Sequence, residues 1–494
     1  MARRTFSQSI PWNRREFLSR VGMGLGGVAL ADLFARDGAA LANDARSVRG
    51  PHFEPKAKSV IWIFLTGGVS HLETFDPKPA LNTFAGKTIS ETPHADVLNS
   101  PLVGKNLQSG KRQLMQQIYP LQVDFRKWGQ SGIEMSNWWP KLGERVDDLA
   151  IVRSMWTTDN NHQAQYQFHT GRNLVEGSFP SIGAWVHYGL GSLNENIPQF
   201  IMFGPPLGSC CGGNLGHGAD YLGPEHAAVR IDTAGTSPLP FVAPELRMLQ
   251  QEQINEFELI HRLSKRAAEA NPGDPETEAR IKSYELAFKM QASVPGIMDL
   301  SRETPETLQL YGLDRLKDKR GDFAKQCLLA RRYVESGVRF VQVMHGGSGA
   351  GDWDGHNELK KRYTDLCDEV DQPIAALLSD LKRRGLLDET LVVFATEFGR
   401  TPGLEVEVTP GAREGRDHHP YGFSVWLAGG GIKGGVVHGA TDELGFHAVE
   451  NRHYVTDIHA TVMHQLGLMP SQLDPPGRKR IERDYGEPIH EIIA

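Results

Sequence analysis

Five short segments of this 494-residue chain carry residue types that hold metals and move protons, and each adjoins an apolar run. Thr66-Gly67-Gly68-Val69-Ser70-His71-Leu72-Glu73 runs on to Asp76, and Thr157-Thr158-Asp159-Asn160-Asn161-His162 follows a second run. His345 closes a third run and precedes Asp352, Asp354 and His356. Thr396-Glu397-Phe398-Gly399-Arg400 follows a fourth, and Arg416-Asp417-His418-His419 precedes a fifth. Hard and borderline divalent metals take carboxylate oxygens and imidazole nitrogens from several loops at once. Asp354 or Asp352, together with His356, places two such donors in one loop, and His418 or His419 adds a third. Any one of these residues alone would read as a helix cap or a loop residue. Five such segments together point to a metal.

The runs that must position them are continuous rather than alternating, as in strands buried on both faces. They cover 58–65, 149–155, 199–203, 338–344, 390–396 and 423–428. Helical periodicity fills 161–172, 323–336, 358–384 and 456–466. Strands alternating with helices predict an α/β fold with a doubly wound, largely parallel sheet. Ligands then bind beyond the carboxyl ends of the strands, where the chemistry-bearing segments fall. Residues 205–320 differ, with a Gly- and Pro-rich opening and charged helices around 243–268 and 275–292, broken at Asn271-Pro272-Gly273-Asp274-Pro275. They read as an insertion or cap region between two parts of the α/β core, 43–204 and 321–494.

The amino terminus sets the compartment. Arg14-Arg15-Glu16-Phe17-Leu18 precedes a Gly-rich apolar run, 21–31, and an Ala40-Leu41-Ala42 exit. This is the pattern of a secretory signal over 1–42, and the arginine pair assigns it to the twin-arginine route. The translocase of that route is the expected partner during export, to the periplasm or the outside. The run is shorter than the roughly 20 residues a span needs, and Asp32 interrupts it. No membrane span is expected in the mature chain. Residues 1–42 carry six of the 53 Lys and Arg and three of the 60 Asp and Glu, leaving the remainder at a net charge of −10. That excludes a basic nucleic-acid footprint. Four cysteines, at 210, 211, 327 and 367, make no disulfide framework and have no zinc-finger spacing.

Longer motifs add a resemblance. They are Gly67 to Pro79, Trp353-Asp354-Gly355-His356, Thr396 to Pro402, Gly415 to Pro420, Ala428 to Gly435, and Asp457-Ile458-His459-Ala460-Thr461. The chain resembles an exported bacterial family, domain of unknown function 1501, related to the alkaline phosphatase and sulfatase superfamily. The resemblance implies that superfamily's sheet and a metal-dependent hydrolase of phosphate, sulfate or related esters, with a small-molecule or glycan ester as substrate. The alternative is a non-catalytic descendant that binds carbohydrate or anionic ligands. It implies a divalent ion (zinc, calcium or magnesium) on Asp354 (or Asp352), His356 and His418 or His419. Glu397 stands in the place of a second metal's Asp. Thr158, three residues before Asn161-His162, is similar to a Thr-x-x-Asn-His pattern in which the Thr is the nucleophile and the Asn binds a phosphoryl oxygen. Arg400 and Arg416 are the expected substrate contacts. The chain departs from the superfamily where Thr66-Gly67-Gly68 replaces a metal-binding Asp, for which His71, Glu73 or Asp76 is the available substitute. It departs again where Phe398 replaces a His, so one metal is expected rather than two. It contains no Cys/Ser-x-Pro-x-Arg, which excludes the formylglycine chemistry of true sulfatases.

Overall fold

A computed structural model of the protein describes residues 50–102, 117–233, 250–270, 275–313, 319–347, 349–405, 414–473, 475 and 486–494. The signal residues 1–42 and the break at 271–274 lie outside the described residues. Nine strands form one sheet. In chain order they are β1 (Ser59–Leu65), β2 (Leu149–Trp156), β3 (Phe200–Phe203), β4 (Val229–Ile231), β5 (Phe340–His345), β6 (Thr390–Ala395), β7 (Phe423–Ala428), β8 (Val436–His438) and β9 (His453–Tyr454). Their order across the sheet is β8-β2-β7-β6-β1-β5-β3-β4, and β9 pairs with β2. Only β7 runs antiparallel to its neighbours, β2 and β6; the other pairings are parallel.

β1 lies near the middle of the sheet, and all seven of its residues are buried. Successive side chains of a strand point to opposite faces, and this strand feeds two cores. Ile61, Ile63 and Leu65 join one core, while Val60, Trp62 and Phe64 join the other. That double burial is why the run shows no alternation of apolar and polar residues.

Helices cover both faces. α1 (Ala164–Thr170), α2 (Ile182–Leu190) and α7 (Val455–Gln465) supply the second core. α5 (Lys319–Glu335) and α6 (Leu359–Arg383) supply the first. α6 does so through Leu359, Tyr363, Cys367, Val370, Ile374, Leu377 and Leu381, the three- and four-residue spacing of one helix face. Each such aliphatic side chain contributes about 1.5–3 kcal/mol on burial. The six expected strands and four expected helices are all present within a few residues of their predicted bounds.

Region 205–320 contains α3 (Gln250–Ala270) and α4 (Pro275–Met298). It also lends β4 to the edge of the core sheet. Three residues are too few to show a period, so β4, β8 and the two-residue β9 left no signal in the sequence. All four cysteines are free thiols, with Cys210 exposed and the others buried. Among the described residues no helix is long and apolar enough to cross a membrane.

Candidate metal centre

Because β7 alone is reversed, its entry lies on the same edge as the carboxyl ends of β1, β2, β5 and β6. A hairpin of Gly399–Leu404 with Arg416–His419 leads into β7 and overhangs that edge. The loop after β5 folds down onto Gly67, whose φ is +125°. A Cβ there would stand 2.4 Å from the Asp354 nitrogen. A side chain at position 67 would push Asp354 out of place, which is the physical reason this strand end carries glycine.

Asp354 is the centre of the group. Its Oδ1 accepts from Arg400 Nη2 at 2.8 Å. The same oxygen lies 2.9 Å from His356 Nε2 and 3.1 Å from His418 Nε2. Those two nitrogens are 2.9 Å apart, and Oδ2 lies 3.4 Å from His162 Nε2. Three imidazoles thus turn the same nitrogen toward one carboxylate.

The outward nitrogens explain the orientation. His418 Nδ1 donates to the Asn160 carbonyl at 2.9 Å. His356 Nδ1 contacts the Glu405 carboxylate, and His162 Nδ1 lies 3.0 Å from Glu397 Oε1. Every one of these partners is an acceptor, so each Nδ1 carries a hydrogen and each Nε2 faces inward. That is how metal-binding histidines are held: the second nitrogen is tied to a carbonyl or carboxylate. Glu397 is wholly buried and also accepts from the Gly67 N–H at 2.9 Å, Gln165 Nε2 at 3.0 Å and the Thr396 hydroxyl.

The donor set fits a divalent ion. Adjacent ligands of a six-coordinate ion with bonds of about 2.1 Å lie about 3.0 Å apart, against about 3.4 Å for a tetrahedral one. The Asp354, His356 and His418 atoms form a triangle with edges of 2.9, 3.1 and 2.9 Å. Imidazole donors suit zinc and its transition-metal neighbours better than magnesium or calcium. Such an ion would sit on Asp354 and His418, with His356 or His162 as a third ligand.

Without an ion, protons must occupy the same space. Burial opposes charge on His162, yet the Asp354 and Glu397 carboxylates outweigh it and hold the imidazolium up to about 9. Burial also opposes charge on His356, but its bonds to Asp354 and Glu405 raise it. His418 is pushed down to about 3 by burial, with only Asp354 opposing strongly and the Arg400 and His162 charges adding to the effect. Burial disfavours the Asp354 carboxylate, but Arg400 and the imidazoles hold it far below the usual range. His162 in the folded state therefore titrates above its unfolded value. Its pairing stabilises the metal-free protein fully below about pH 6.5 and is lost as pH rises through about 9. Zinc binding at pH 7 should release the proton held on His162. Calorimetry in buffers of different ionisation enthalpy measures this directly, and release of no proton would exclude His162 as a ligand.

The other expected residues are placed as follows. His418 faces Asp354, while His419, one residue on in the same strand, is buried against Phe446 with ring centroids 4.3 Å apart. Asp352 is exposed, separated from Asp354 by the buried Trp353. His71 Nε2 bonds the Gly445 carbonyl at 2.8 Å, and Asp76 is engaged with Thr441 and Lys78. Neither is brought to Asp354.

Arg400 and Arg416, the expected substrate contacts, lie inside the chain. Both are wholly buried, and their donors are spent on the chain itself rather than turned to a substrate. Arg400 bonds the Gly67, Gly68 and Arg416 carbonyls besides Asp354, so it braces Asp354 from beneath. Arg416 pairs with the equally buried Glu73 at 2.7 Å. Burial of a guanidinium requires such saturation.

Thr158 is exposed, its hydroxyl accepting from Gln167 Nε2 at 2.8 Å and lying 3.4 Å from the Tyr454 hydroxyl. α1 starts only at Ala164, with Gln163 before it, so neither Thr158 nor Asp159 caps it. Asp159 instead accepts from the N–H of the exposed Asn161 at 2.9 Å.

Glu405 is an addition, and Asp417 lies in the Arg416–His419 segment. With His356 they form a second group of three ligand atoms, all within 4.8 Å of one another. His162, Asp354 and His418 form the first such group among the described residues. Nothing in the sequence near Glu405 marks it. It reaches His356 only because the hairpin pairs its N–H with the Gly415 carbonyl at 3.0 Å.

The model of a family described as "Protein of unknown function (DUF1501)" matches residues 57–493. No curated protein matches the chain. Among solved structures it is similar to the lipoteichoic acid synthase LtaP from Listeria monocytogenes, at 9% identity and a TM-score of 0.36, covering 91% of this chain and 80% of that one. It is similar to the PsFucS1 sulfatase from Pseudoalteromonas sp., at 14% identity and a TM-score of 0.34, covering 92% and 77%. A third is the alkaline phosphatase from the Antarctic bacterium TAB5, at 10% identity and a TM-score of 0.33, covering 84% and 99%. At these scores and identities the likeness bears on no residue of the site.

Proposed function

Since the chain belongs to the DUF1501 family, whose description names no reaction, we propose from the site itself that it is a metal-dependent hydrolase of phosphate, sulfate or related esters. One observation carries this reading: three imidazoles, each held through Nδ1 by an acceptor, turn Nε2 toward Asp354. A divalent ion there would polarise the ester oxygen and lower the pKa of an attacking hydroxyl or water.

Thr158 is the proposed attacking hydroxyl, positioned by the Gln167 amide. Purified mature chain loaded with zinc should hydrolyse aryl phosphates or aryl sulfates and lose that activity to a chelator. Thr158→Ala should cost about 1 kcal/mol of stability for the lost hydrogen bond. As the nucleophile, its loss should remove nearly all turnover while metal content stays constant. A variant with wild-type turnover would leave metal-activated water as the attacking group.

The burial of both arginines favours a second reading, a non-catalytic protein that binds carbohydrate or anionic ligands. Zinc uptake without turnover of either ester class would support it. Export rests on residues 1–42. Arg14→Lys with Arg15→Lys should leave unprocessed chain in the cytoplasm, and normal export of that variant would rule out the twin-arginine route.

A further inference from the structure

A second histidine pair lies away from this centre, at the far edge of the sheet. β8 and β9 both pair with β2, so His438 stands opposite Val152 and His453 opposite Met155. Their side chains meet with the two Nε2 atoms 2.9 Å apart. His453 Nδ1 lies 2.9 Å from Asp457 Oδ2 in the first turn of α7. The carboxylate accepts, so Nδ1 carries the hydrogen and the Nε2 lone pair is aimed at His438. Glu491 Oε2 lies 4.0 Å from His438 Nε2, on a side chain 63% exposed and therefore able to swing closer. The imidazoles are 10% and 16% exposed, shielded yet open to solvent on one side.

We propose that His438, His453 and Glu491 form a second divalent transition-metal site, structural rather than catalytic, with Asp457 as the group that orients His453. Two imidazole nitrogens about 2.9 Å apart are spaced as neighbouring ligands at 90° around an ion with bonds of about 2.05 Å. Copper(II) and six-coordinate zinc have that angle. The Asp457–His453 pair repeats the carboxylate–histidine arrangement that fixes a ligand's tautomer and orientation. Asp457 Oδ1 also accepts from the Glu487 N–H at 3.1 Å. Lys433 Nζ donates to the Glu491 carbonyl at 3.0 Å, and the Lys433 N–H to the Ile492 carbonyl at 2.8 Å. An ion held by both histidines and Glu491 would thus clamp residues 486–494 to the sheet edge and to α7.

The competing occupant is a shared proton. Equilibrium dialysis of the mature chain against zinc separates the two. The wild type should hold one more equivalent than His438→Gln/His453→Gln, with ester hydrolysis unchanged between them. Asp457→Asn should weaken the second zinc by about 10–100-fold, the usual cost of losing such an orienting partner. In an Asp354→Asn background, which removes the first site, added copper(II) should give an electron paramagnetic resonance spectrum with coupling to two imidazole nitrogens. Equal zinc content in wild type and double variant, or a copper spectrum unaltered by His453→Gln alone, would overturn the proposal and leave a proton between the rings.

Discussion

Asp354→Asn should remove metal binding and turnover together. The carboxylate meets His162, His356 and His418 and is the one charged oxygen donor among them. A divalent ion held by neutral imidazoles and an amide lacks the charge that offsets its desolvation. Metal catalysis supplies several kcal/mol of transition-state stabilisation, so turnover should fall roughly a thousandfold or more. The substitution also leaves Arg400, wholly buried, without its nearest countercharge. Breaking one partner of a buried pair costs about 3–5 kcal/mol, and Glu397 close by keeps the expected loss near the low end, about 3 kcal/mol. Metal content by atomic emission and unfolding in urea measure the two effects separately. Full metal content and full turnover in the Asp354→Asn variant would remove Asp354 from the site.

Glu73→Gln should cost as much stability and nothing in chemistry. Glu73 and Arg416 are both wholly buried, with Arg416 Nη2 2.7 Å and Nε 3.0 Å from Oε1. The remaining guanidinium donors reach the carbonyls of Thr401, Pro402, Tyr119 and Pro120. Arg416 thereby ties the hairpin before β7 to the loop after β1. Glutamine keeps one acceptor but leaves an uncompensated buried cation, for about 3–5 kcal/mol. Because the paired side chains bond none of Asp354, His162, His356 and His418, metal content and turnover per folded molecule should stay at wild-type values. A loss below about 1 kcal/mol, less than a single unsatisfied buried group costs, would show that the carbonyls alone stabilise the guanidinium.

The two arginines show what a linear reading misses. Each sits among motif residues at the active edge, and a cation beside an expected anion site is a natural contact. Whether its donors face a ligand or the chain's own carbonyls depends on atoms that arrive from residues 67, 73, 119 and 402. No local pattern encodes that.

The central strands, the helices of both layers and the edge where chemistry must lie were legible in the sequence. Burial on two faces demands unbroken apolar runs, and a helix buried on one face demands a three- and four-residue stripe. Residue type alone also marked Asp354, His356, His162, Glu397 and His418 as candidates. Only the tertiary structure decided between neighbours. His418 faces Asp354 and His419 faces Phe446 because adjacent residues of an extended chain point to opposite sides, and which side meets the site depends on how the hairpin lies across the sheet. Asp354 rather than Asp352 meets the imidazoles because Trp353 buries and fixes the turn between them. Glu405 became visible only through its pairing with Gly415 across the hairpin. Pairing, facing and burial are properties of two segments at once, and one segment's residue types cannot specify the other.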